Sequence, residues 1–205
     1  MWYKLKRILI YPDGVTEKQV YPKGFSYDFR NKTQAQTEAA WWVVTTPYYT
    51  DANGWYATSG SGRLSKSINL TNAKKITIVA EMNIASNANA LNIAVKNGSS
   101  SGTSWWIWAF ASWNTSSNKW IWVQILSTWK WWDNYATISW ATTLIYELDI
   151  TNLKFYATID NNWNNWTRTT TLTASDISTA TTNPVIYIYS DSGNHRLKSI
   201  NCLIE

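Results

Sequence analysis

The chain has 205 residues, 45% of them hydrophobic and 15% charged, with a formal net charge of +5. That composition supports a packed core and excludes a disordered tail. A single cysteine excludes an internal disulfide framework. Seven of the 18 Lys and Arg, against three of the 13 Asp and Glu, fall in residues 1–32. A solvated basic end accounts for this; no DNA or RNA signature accompanies it, so nucleic acid is not expected as a partner. No apolar run approaches the roughly 18 residues of a membrane helix, and membrane insertion is not expected. MWYKLKRILI also lacks the apolar stretch and small-residue cleavage site of a signal peptide.

In chain order, IYPDG (10–14) recurs as VYPKG (20–24), each a strand end followed by Pro-x-Gly turn chemistry. Residues 1–30 therefore read as a β-hairpin segment. A hairpin alone is marginal in water, so an attachment or oligomerisation role is expected. NKTQAQTEAA (31–40) lacks an apolar stripe and reads as one or two helical turns within a linker, 31–54. From residue 55 to 205, strand and turn alternate. Strands are expected at 63–69, 74–82, 90–95, 105–111, 119–126, 135–140, 143–150, 153–159, 167–172, 184–190 and 197–205. In KKITIVAEM, Ile76, Ile78 and Ala80 share one face; in KWIWVQIL, Ile121, Val123 and Ile125 oppose Trp120 and Trp122. Short turns and no helices predict an all-β fold, an antiparallel sandwich.

Tryptophan is the anomaly. The chain has 16 Trp and 8 Gly, and glycine normally contributes roughly 7% of residues. Trp sits in turn contexts such as IDNNWNNWTRTT and STWKWWDNY, where residues tolerating positive φ are expected. Taken at face value, Trp106, Trp108, Trp120 and Trp122 make outward stripes on adjacent strands that could stack on sugars or bases. All 16 side chains amount to on the order of 3,000 Å², far above the roughly 300–600 Å² apolar patch of a typical monomer. The alternative is that many Trp stand where the gene encodes Gly through a recoded UGA. Glycine would then reach about 12% of the chain, fitting its many turns.

Among candidate reactive groups, Cys202 shares a face with Ile200 and Ile204 and is expected to be buried rather than nucleophilic. His195, in DSGNHR, reads as a turn residue, and no metal-ligand spacing surrounds it. YELDITN offers Glu147 and Asp149 on one face, but the third carboxylate position of a glucanase-type strand is Asn152. No Ser-His-Asp set is available. The chain is expected not to be an enzyme, and to need no cofactor or metal.

TLIYELDITNLKFYATIDNN (143–162), the closing LKSINCLIE, and WWIWAFA and KWIWVQIL read with Gly resemble the concanavalin A-like (laminin-G-like) family. This resemblance implies a jelly-roll β-sandwich over 55–205, preceded by the N-terminal β-hairpin segment. The first 30 residues resemble the N-terminal segment of bacteriophage virion or tail proteins. Together these imply a phage structural or receptor-binding protein, tail fibre or tail tip, made in the host cytoplasm and carried on the virion. Its partners would be a host-surface carbohydrate or another virion protein, and it would be a homo-oligomer. A capsid or tail decoration protein without a glycan ligand and a bacterial surface adhesin module are the alternatives. Candidate ligand contacts are polar groups near the sheet ends, Asp133, Asn134, Tyr135, Asp191 and Asn194. They combine hydrogen-bonding capacity with one stacking ring; ordinary turn residues are the competing reading.

Overall fold

A computed structural model of the chain describes residues 23–45, 48–56, 62–84, 88–99, 106–113, 119–126, 128–134, 141–160, 165–190 and 195–205. The hairpin expected before residue 23 and the strand expected at 135–140 lie outside the described residues.

Strong period-two sequences form the central strands. In β6 (Lys75–Asn83), Ile76, Ile78, Ala80 and Met82 are buried and alternate with outward residues. The same rhythm marks β11 (Ala141–Asp149), β12 (Lys154–Asp160) and β15 (Arg196–Ile204). A register shift between Leu197 and Ser199 brings Leu197 onto the same inner face as Ile200, Cys202 and Ile204. With β13 (Asn165–Thr171), β4 (Gly54–Tyr56) and β3 (Tyr49–Asp51), these make sheet I, in the order β13-β12-β11-β6-β15-β4-β3. A further strand, β1 (Lys23–Asp28), pairs with β15 beside β4.

Sheet II runs β10-β9-β8-β7-β14-β5-β2. Its strands are β2 (Val43–Thr45), β5 (Gly62–Ser67), β7 (Ala88–Asn97), β8 (Trp106–Trp113), β9 (Lys119–Ile125), β10 (Thr128–Asn134) and β14 (Pro184–Ser190). Its strand pairings are all antiparallel among the described residues. The fold is the all-β antiparallel sandwich that the alternation predicts and the jelly roll that the resemblance implies. Its core lies between the sheets: Leu64, Ile188, Ile93, Ala109 and Val123 form one row of sheet II, facing Ile78, Tyr146, Ala157 and Cys202 of sheet I. Tyr146 ties the layers together. Its buried hydroxyl donates to the Ile107 carbonyl (2.9 Å) and accepts from the Val95 amide (3.3 Å), two residues opposite each other in β7 and β8.

Residues 23–54 depart from the expected hairpin end and linker, because β1 to β4 are built into the two sheets. The short helix α1 (Gln34–Ala39) is docked rather than free. Its Thr37 is fully buried and hydrogen-bonds both Tyr27 and Tyr48. Thr33 and Gln36 close a capping box at its start. A second helix, α2 (Ala174–Thr181), was not expected; Thr173 and Asp176 cap it reciprocally, and Ile177 and Ala180 enter the core. The strand β10 stands where STWKWWDNY predicts a turn.

The end of α1 is anomalous. The Trp41 amide donates to the Glu38 carbonyl (2.9 Å) and the Trp42 amide to the Thr37 carbonyl (3.3 Å), a Schellman ending. The residue in its left-handed slot, normally glycine, is Trp41 at φ 65°. Leu126 and Leu153 also have positive φ, but both pack against the core. Trp41 is 82% exposed, so no burial offsets its strain. At Gly54, φ is 122° and a Cβ would collide with the Leu197 carbonyl oxygen, so there the chain does carry the glycine its geometry needs.

Candidate functional site

The outward face of sheet II carries the densest set of aromatic and polar side chains among the described residues. Alternation sends Leu64, Ile93, Val95, Ile107, Val123 and Ile188 inward. The intervening residues therefore face out: Arg63 on β5, Tyr187 and Tyr189 on β14, Asn92, Ala94 and Lys96 on β7, Trp106 and Trp108 on β8, and Gln124 on β9. Register aligns them in rows across the strands. One row runs Ser65, Tyr187, Ala94, Trp108, Gln124; a second begins Arg63, Tyr189, Asn92; a third holds Val185, Lys96 and Trp106.

These groups interlock. The Lys96 ammonium lies 4.8 Å from the Tyr187 ring centroid and 5.2 Å from that of Trp106. Trp106 meets Trp108 edge-on at 5.4 Å and Tyr187 at 4.8 Å. Arg63 stands 5.8 Å over Tyr189, and the Asn92 amide donates to the Tyr189 carbonyl at 3.1 Å. Burial, helped by the Arg63 charge, holds the Lys96 ammonium below its usual pKa. Burial raises the Tyr187 phenol, and Arg63 partly opposes that shift. The arrangement can stack a flat apolar ring face, donate hydrogen bonds and attract negative charge. The expected outward placement of Trp106 and Trp108 holds. Trp120 and Trp122 pair in register with Ser112 and Phe110.

The contacts expected at the sheet ends are only partly placed. Asp133 and Asn134 close β10, opposite Ile121 and Trp120. Tyr135, Asp191 and Asn194 lie outside the described residues. The chain leaves β14 at Ser190, which shares a register row with Leu91, Ala111, Ile121 and Asp133. Ser190 and Asp133 thus lie at the same end of sheet II, four inter-strand spacings apart, about 19 Å.

His195, expected as a turn residue, is buried. It is 1% exposed, immediately before β15, and neither ring nitrogen has a hydrogen-bond partner. Burial and then the Arg196 charge push its pKa down to about 4. Cys202 is buried as expected, its thiol pushed up to about 12 by desolvation. Glu147 and Asp149 point away from the core on sheet I. Glu147 pairs with Lys75 at 2.9 Å, and Asp149 accepts from both the backbone and the side-chain amide of Asn152. Among the described residues no cluster of His, Cys, Asp and Glu could hold a metal ion. A cleft of about 570 Å³ opens at the other end of sheet II, beside Asn69, Thr71, Thr181 and Pro184. Asn69 accepts from the Thr71 amide, Thr181 donates to the Ile177 carbonyl and Asn183 to the Ser99 hydroxyl, and no charged or aromatic side chain lines the cleft.

Comparison with solved structures decides the architecture. Lectin II from Ulex europaeus superposes with a TM-score of 0.68 over 89% of this chain and 98% of the lectin, at 10% identity. The fold is similar to the legume-lectin sandwich. A legume lectin-like domain from Entamoeba histolytica matches with a TM-score of 0.60 over 86% and 95% of the two chains, at 13% identity. The CBM2 module of the evolved Dit of Lactobacillus casei BL23 phage J-1 matches with a TM-score of 0.57 over 90% and 96%, at 9% identity. No protein-family profile and no curated protein sequence matches the chain. At these identities the likeness establishes the fold.

Proposed function

We propose that the protein is a carbohydrate-binding component of a phage virion, of tail-fibre or tail-tip type, that contacts a host-surface glycan. The observation that carries the reading is the aromatic and cationic outer face of sheet II on a lectin sandwich. Rings flanked by amides and cations suit sugars, whose faces are apolar and whose edges are hydroxylated. The likeness to a phage Dit module supports the particle context. Asp133, Asn134, Tyr135, Asp191 and Asn194 remain proposed contacts. Many copies on one particle would raise the avidity of a weak monovalent site. The direct test is a glycan array probed with the purified chain and with its Tyr189→Ala variant. Glycan capture lost in the variant supports the reading. Absence of any captured glycan, with trimeric or higher assembly in solution, favours a decoration protein.

We also propose that many of the tryptophans occupy glycine codons. Trp41 in a glycine slot supports this. So do the buried indole N–H groups of Trp42, Trp55 and Trp106, which find no acceptor, a cost of about 1–3 kcal/mol each. Sequencing the native gene tests it: UGA at these positions supports the proposal, and UGG refutes it.

A further inference from the structure

We infer that the outer face of sheet II binds a glycan chain bearing anionic groups, in a trough that the Trp106 and Trp108 side chains fill and that glycine at those positions opens. This rests on the carbohydrate-binding reading above and adds to it the ligand's charge and the shape of the site.

Charge comes first. On β5, β7, β8, β9 and β14 the outward face carries Arg63 and Lys96 and no Asp or Glu, whereas Lys66 shares the inward face of Leu64 and lies over Phe25 and Trp42. On sheet I the carboxylates of Asp28, Asp51, Glu81, Glu147, Asp149 and Asp160 are interspersed with Lys75, Lys154, Arg168, Arg196 and Lys198, and the one carboxylate on a sheet II strand, Asp133, lies on the edge strand β10. The outward face around Arg63 and Lys96 therefore holds positive charge with no carboxylate on the same strands, and attracts anions. Arg63 and Lys96 act in one region, since the Arg63 charge contributes to depressing Lys96.

Burial gives the second argument. The outward face of an antiparallel sandwich sheet is normally solvated, yet Asn92, Lys96, Gln124 and Tyr187 are each 9% exposed or less. The Trp106 indole lies against Lys96, Tyr187 and Trp108. Trp106 stands beside Lys96 and Trp108 beside Ala94 in register. Without the two indoles, Ala94 becomes the floor of a trough walled by Tyr187 and Tyr189. Lys96, Asn92 and Gln124 then reach its solvent. From Asn92 to Lys96 the floor extends about 14 Å, room for more than one sugar ring.

The test compares the chain as given with a Trp106→Gly/Trp108→Gly variant. Both are titrated with polygalacturonate, dextran sulfate and uncharged dextran at low and high salt. We expect the variant to bind at least one anionic polymer ten times more tightly than the parent, and to lose that gain when Lys96→Gln is added. Its binding should fall with salt, and dextran should bind neither form. Equal affinity for dextran, abolished by Tyr189→Ala, would overturn the anionic assignment and leave carbohydrate binding standing. A cooperatively melting variant that binds none of the polymers, nor any glycan on an array, would overturn both. If the double variant does not melt cooperatively, Trp108→Gly alone carries the comparison, because it leaves the buried Trp106 in place.

Discussion

Replacing Trp41 by glycine and, separately, by alanine isolates the strain at the end of α1. Both substitutions remove the same indole, already 82% exposed, so lost burial is nearly equal and cancels. The difference lies in the backbone. At φ 65° a residue with a Cβ carries about 1–2 kcal/mol that glycine does not. Against this, glycine's freer unfolded chain costs about 0.4–1 kcal/mol relative to alanine. The Trp41→Gly variant should therefore be more stable than Trp41→Ala by about 0.5–1 kcal/mol, reversing the usual order in and around helices. For a chain of this size that is a difference of about 1–4 °C in melting temperature, measurable by calorimetry or by urea titration. Equal stabilities, or alanine the more stable, would refute the claim that this position is built for glycine. Because the comparison does not involve the parent tryptophan, it is insensitive to whatever weak contacts the indole makes.

Three further outcomes follow from buried groups. His195 titrates near 6.5 when unfolded and at about 4 when folded, so the unfolded state takes up its proton first as pH falls. Stability should drop by about 3 kcal/mol between pH 6.5 and pH 4. A His195→Phe variant should lack that component in a urea titration series, while retaining the acid sensitivity of Asp28, Asp51 and Asp149, whose carboxyls sit below their usual range. Tyr146→Phe would leave the Val95 amide and the Ile107 carbonyl without their shared partner, costing about 1–3 kcal/mol in chemical denaturation. Cys202, with its thiol pushed up to about 12, should resist an aromatic disulfide reagent at pH 8 in the native protein and react fully in denaturant.

The long strands of both sheets were legible because one buried face imposes strict alternation. KKITIVAEM, expected at 74–82, forms β6 over Lys75–Asn83. The edges were less legible. β2, β3 and β4 have three residues each, too few for a period to show. β10 was hidden by its own composition, since reading TWKWWDN as a glycine-rich turn removed it from the strand set. The helix α2 did carry a signal, Thr173 three residues before Asp176, the capping pattern that the structure confirms. A histidine beside Asp, Ser, Gly and Asn carries the signal of turn chemistry, and only the tertiary fold shows it buried just before the interior strand β15.

The candidate site was legible in part, and its missing half is a matter of topology. The outward stripe on β8 follows from alternation in a single strand. Its partners do not: Tyr187 and Tyr189 reach Ala94 and Asn92 only because β14 inserts between β7 and β5, strands far away in sequence. Periodicity assigns a residue to a face and is silent about which strands lie side by side. That explains why polar residues in turns attracted attention as contacts while Lys96, buried in ALNIAVKN, did not. A lysine in a strand whose Leu91 to Asn97 are all buried reads as an edge effect until the neighbouring rings are known. Once the register is known, it becomes the central cation of an aromatic face, and the glycine question at Trp106 and Trp108 becomes a question about whether that cation can meet a ligand.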